Sequence, residues 1–231
     1  MQLKIQWGKK DLIRLVDSRL SEVFRQEYTG ATPTLHDLLP AITKKYKIDP
    51  LDYMLDRTFF RPRDVIDFIN TCLEQSEWKS KLTWSDIRQA ETSYSDRRLQ
   101  SVIDEWKDSY FGIHLVFNFL KKAKKIFSYT QFSDEDINQI LSHSEIEQSS
   151  WLKDLQGKYI KSIFSLEDIK MEILKSLYFI GVIGVKFPHT HKVVYSFQQL
   201  QGVGTDAFLE YPIHVHKMFW GALGIDNDPN P

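Results

Sequence analysis

"SLEDIKMEILKSLYFIGVIGVK", residues 165–186, changes its period halfway along. Ser165 reads as an N-cap, Glu167 and Asp168 suit the positive end of a helix, and the helical pattern stops before Gly181. Beyond that glycine the residues are branched and aromatic and read as strand. "VIGVKF" (182–187) and "KVVYSFQ" (192–198) are separated by "PHTH", which predicts a short hairpin. The following "YPIHVHKMFWGALGI" (211–225) is read as a last helix, and "DNDPNP" (226–231) as a frayed tail.

Working backwards, "GIHLVFNFLKKAKKIF" (112–127) and "SDEDINQILSH" (133–143) read as two more helices, the second capped by Ser133. A looser stretch runs from about 144 to 165. Three helices followed by a two-stranded hairpin is the order of a winged helix, which assigns residues 109–225 to such a domain. Helices fill the first half too. Leu12, Ile13, Leu15, Val16, Leu20, Val23 and Phe24 make a one-sided stripe ended near Gly30. Thr32 before Pro33, and Asp49 before Pro50, predict N-caps with proline at the first helical position. From Pro62, the residues Val65, Ile66, Phe68, Ile69, Cys72 and Leu73 form another stripe, and Thr83 with Asp86 opens a long helix through Tyr110. The predicted fold is mainly α: a helical lid-like bundle over 1–108, then the winged helix with its small antiparallel hairpin.

Composition excludes several classes. A 231-residue chain with 42% hydrophobic and 13% aromatic residues can build a real core. Thirty basic against thirty-one acidic residues give a formal charge of −1, so no global field draws in nucleic acid or an anionic membrane. The longest apolar run, "LYFIGVIGV" (177–185), is far short of a membrane span. The single Cys72 suits a reducing compartment, so a cytoplasmic protein is expected.

"FFRPRDVIDF" (59–68) puts two arginines at the first turn of a helix, where cations are mildly unfavourable and anions welcome. Arg61 and Arg63 could pair with Asp56, Asp64 or Asp67, or they could await a phosphate. "RPRDVIDFIN", the later "DIRQAETSYSDRRLQSVIDEW" and the "LYFIGVIGV" joint together resemble the carboxyl-terminal half of a bacterial family of P-loop NTPases of the STAND and AAA+ type. That resemblance implies a helical lid and a winged helix after a nucleotide-binding core. It implies a sensor-2 role, contact with the terminal phosphate, for Arg63 after Pro62, with Arg61 as substitute. No GxxxxGK[ST] loop and no Walker B strand occurs in these residues, so the chain is not expected to be an enzyme by itself. No cofactor is expected in it, and ATP and Mg²⁺ only with an upstream core; the chain would be a fragment or split product of the longer protein. Its expected partner is such a core or another protein.

The alternative is a DNA-binding winged-helix regulator, with Lys121, Lys122, Lys124 and Lys125 of "KKAKK" as phosphate contacts. Against it, the helix that would enter a groove carries Glu167, Asp168 and Glu172. His189 with His191, and His214 with His216, are alternate residues that could share a strand face toward zinc, but matched third ligands are missing and no metal is expected. Cys72, on an apolar helix face, reads as inert packing.

Overall fold

The computed structural model describes residues 7–27, 34–77, 79–198 and 203–225. The fold is mainly helical with a small three-stranded antiparallel sheet. Two compact units part within one long helix, after Ser95.

In the first unit, α1 (Lys9–Glu27) packs on α2 (Leu35–Leu38) and α4 (Pro62–Gln75), and α3 (Pro50–Leu55) packs on α4. Asp49 caps α3 with Pro50 at its first position, accepting the Asp52 N–H at 3.1 Å. The Thr32–Pro33 cap and the Gly30 stop lie outside the described residues; α2 begins two residues later than that cap predicts, under a Thr34–Asp37 capping box. α5 (Trp84–Tyr110) starts where Asp86 Oδ2 accepts the Thr83 N–H at 2.7 Å and Thr83 Oγ1 accepts the Asp86 N–H at 3.2 Å. Val65, Phe68, Ile69 and Cys72 of α4 are buried, Ile66 half-buried. Phe68 stacks on Tyr94 with ring centroids 4.3 Å apart, a pairing worth about 0.5–1.5 kcal/mol beyond the area buried.

The second unit holds α6 (Ile113–Lys122), β1 (Ile126–Phe127), α7 (Asp134–Leu141), α8 (Ser150–Ile160), α9 (Leu166–Phe179), β2 (Ile183–Val185), α10 (Asp206–Glu210) and β3 (Ile213–Val215). Ser133 and Ser165 cap α7 and α9 as expected, each in a reciprocal box with an aspartate three residues on. α9 buries Ile169, Ile173, Leu174 and Leu177 against α7, α8 and β2, at about 1.5–3 kcal/mol per side chain. Gly181 takes φ +88°, a left-handed turn that suits glycine, and the chain passes from α9 into β2.

Three expectations need correction. The looser stretch from 144 to 165 contains a one-turn helix (Ser144–Gln148) and then α8, capped by Ser149. The hairpin exists only as a single bridge between Val185 and Val194, because 192–198 turns away into a short 3-10 helix at Ser196–Gln198. The ladder that β2 does form is with β3, inside the stretch read as a last helix: Ile183 faces Val215 and Val185 faces Ile213. Ile213 and Val215 are buried and His214 half-buried, so the pattern there is period two, not helical. β1 completes the sheet on the far side of β3, giving the order β1-β3-β2. Among the described residues no helix is long and apolar enough to cross a membrane.

Candidate functional site

The stretch from the end of α3 to the first turn of α4 is built around buried polar groups. After Leu55 the chain turns through Thr58, whose hydroxyl donates to Leu55 O at 2.9 Å and accepts the Phe60 N–H at 3.1 Å. Phe60 sits at φ +54°, a left-handed conformation that costs a non-glycine residue about 1–3 kcal/mol. Asp64, fully buried at the third position of α4, accepts the Phe59 N–H at 3.1 Å and holds that turn in place. Pro62 occupies the first helical position and Arg61 the N-cap, without a side-chain capping bond. Arg61 and Arg63 are both exposed, and the Arg61 guanidinium lies 5.3 Å from the Phe59 ring centre. The two arginines therefore flank a helix start whose acidic residue is turned inward.

Beside this turn lies a network that sequence reasoning missed. Glu91 of α5, 2% exposed, accepts from Arg57 Nε at 2.7 Å and from the Tyr53 hydroxyl. Arg57 is 5% exposed; its Nη1 donates to Tyr53 O at 3.0 Å and its guanidinium lies 3.5 Å from the Tyr53 ring centre. Arg88, one turn before Glu91, donates through Nη1 to the Tyr53 hydroxyl at 2.6 Å. Burial raises the pKa of the Tyr53 phenol, reinforced by Glu91 and opposed by Arg57, so it stays a neutral relay. Trp84 meets Tyr53 edge to face at 5.6 Å and donates its indole N–H to Ala41 O at 3.1 Å. The only signal of this network in the sequence was the i, i+3 spacing of Arg88 and Glu91 on α5, which also fits an exposed pair.

The other candidates are scattered. Lys121, Lys122, Lys124 and Lys125 do not share a helix: α6 ends at Lys122 and Ala123 is already extended. Lys121 and Lys124 are exposed, while Lys125 lies 4.7 Å from the Trp220 ring centre. His189 and His191 are exposed in the turn after β2, His189 stacked on Phe187 with centroids 5.7 Å apart. His214 sits on β3, where burial and then the charge of Lys186 lower its pKa. His216 is buried and its Nδ1 accepts the Met218 N–H at 3.1 Å, capping a one-turn helix. Among the described residues no group of three or more His, Cys, Asp or Glu side chains is placed to hold a metal ion. Cys72 is fully buried and its thiol pKa is pushed up to about 12 by burial, the state of an inert packing residue.

No curated protein and no solved structure matches the chain. Residues 10–103, spanning α1 to most of α5 and so including both the Arg61–Asp64 turn and the Glu91 network, are similar to the family described as the FunZ-associated C-terminal helical domain.

Proposed function

We propose that this chain is a regulatory and interaction module of a P-loop NTPase, acting with a nucleotide-binding core and without catalysis of its own. The observation that carries the interaction part of the reading is the similarity of residues 10–103 to a helical domain described by its association with another component and its C-terminal place. In this reading the first unit is the lid, and Arg63, with Arg61 as substitute, meets the terminal phosphate of ATP·Mg²⁺ bound by the core. Their exposure at the start of α4 supports that role, since the helix end adds N–H groups to the guanidinium fork. Nucleotide would then hold one lid orientation and its loss release another.

The second unit is read as a winged helix that contacts a partner. Its support is the order helix, strand, helices, strand, then β3 after the short α10, with β3 in the middle of the sheet. A protein rather than DNA is favoured by the surface. Tyr159, Ile160 and Ile163 are exposed around the end of α8, at 37%, 73% and 63%. On α9, Lys170 is buried beside Asp134 at 3.4 Å and Lys175 is tied to Glu172 at 2.6 Å, which leaves Glu167 and Asp168 as its exposed charges. A cytoplasmic setting suits the single buried thiol.

Two assays on the purified chain test this. No ATP turnover is expected, and duplex DNA should bind weakly without sequence preference at physiological salt. Turnover that follows the protein peak through purification, or tight sequence-selective DNA binding, would overturn the reading.

A further inference from the structure

Cations outnumber acids in the Glu91 network. Arg57 and Arg88 share a single carboxylate, and both of its oxygens are engaged: Oε1 with Arg57 at 2.7 Å and Oε2 with the Tyr53 hydroxyl. Arg88 comes no nearer than 3.9 Å to Glu91 and is held instead by the neutral phenol at 2.6 Å. Two guanidiniums thus draw on one carboxylate in this network. The Arg88 side chain is 21% exposed.

Three lysines lie on a turn that packs on the same helix. Trp84, one turn before Arg88 on α5, stacks on Tyr46 with centroids 4.6 Å apart, and Tyr46 lies within electrostatic reach of Arg88. Tyr46 belongs to a closed turn in which the Thr43 N–H donates to Tyr46 O and the Tyr46 N–H to Thr43 Oγ1, both at 3.0 Å. Lys44, Lys45 and Lys47 on this turn are exposed, and Lys45 Nζ lies 5.2 Å from the Tyr46 ring centre. Among the described residues none of the three meets a carboxylate.

We propose that Arg88 and the 43–47 turn form a binding site for the phosphate groups of a small soluble diphosphate or polyphosphate compound. The guanidinium supplies a planar fork that matches two phosphate oxygens, and the lysines supply mobile point charges. Tyr53, locked by Glu91, is the positioning residue that aims the fork. The cations occupy one turn and one arginine instead of a stripe, which fits two or three linked phosphates better than a nucleic-acid backbone. This site is separate from Arg61 and Arg63 and does not depend on the lid reading.

Titration calorimetry of the whole chain with inorganic pyrophosphate, at physiological salt, tests it. Saturable one-to-one binding is expected, weakened about tenfold or more in Arg88→Gln, the loss that follows from removing a charge-assisted contact. The triple variant Lys44→Gln, Lys45→Gln, Lys47→Gln lies on an exposed turn and should weaken binding several-fold even if Arg88→Gln folds poorly. Lys107→Gln, which removes one charge elsewhere, should leave it unchanged. Absence of binding at millimolar pyrophosphate would overturn the proposal. So would binding that survives both variants, loss of binding in Arg63→Gln alone, or tighter binding of a single-stranded oligonucleotide that displaces pyrophosphate.

Discussion

At the scale of single residues, Glu91 is the group on which the first unit most depends. Its removal strands the Arg57 guanidinium, whose side chain is 6% exposed, and unties the Tyr53 hydroxyl. Glu91→Ala should cost about 3–5 kcal/mol in denaturant unfolding, the range for breaking one half of a buried pair. Replacing Arg57 and Glu91 together by methionine should cost less than Glu91→Ala alone, because the desolvated charge goes with its partner. A smaller loss for Glu91→Ala than for the double variant would mean that the pair is not the source. His214 gives a pH signature. Its folded pKa lies below the ordinary imidazole value of 6.5 because burial, and then Lys186, disfavour the imidazolium. Well above pH 6.5 both folded and unfolded chains carry it neutral; as pH falls through 6.5 the unfolded chain takes up the proton first, and stability drops as pH drops. His214→Gln should flatten the stability profile just below pH 6.5; an unchanged slope would assign the loss to another group.

At the scale of elements, the tightest fit is at β2. A Cβ on Gly184 would lie 2.6 Å from Tyr195 Cδ1 and 2.7 Å from Val193 Cγ1, so the 193–195 segment crosses the strand where only hydrogen fits. Gly184→Ala should destabilise by about 1–3 kcal/mol, the cost of overpacking, and a thermal shift assay that finds no loss would show that the segment gives way. Helices were legible because local chemistry decides them: Ser133, Ser165, Asp49 and Thr83 each announce a start through a side chain that bonds within three residues. The sheet was harder because its partners are remote. β3 pairs with β2 across some thirty residues of chain and with β1 across nearly ninety, and β1 is only two residues long. Ile213–His214–Val215 does alternate, but so short a run inside an apolar stretch is easily taken for helix. The same logic divides the candidate site. The Pro62 helix start and the exposure of Arg61 and Arg63 could be read from neighbours in sequence, whereas Glu91 meets Tyr53 and Arg57 from more than thirty residues away.

At the scale of the whole molecule, a chain of net charge −1 has no field to bring it to a polyanion, so its function rests on specific local surfaces. The central proposal is that the turn at residues 59–64 answers to nucleotide held by a neighbouring core. The direct measurement is hydrogen exchange of the backbone amides of residues 63–66 in the complex purified from its source cells, with and without ATP·Mg²⁺. Nucleotide should slow exchange there, and Arg63→Ala should abolish that protection while changing stability by no more than about 0.5 kcal/mol, as usual for an exposed site. Exchange at the start of α4 that is the same with and without ATP·Mg²⁺, in a complex that binds the nucleotide, would contradict the account.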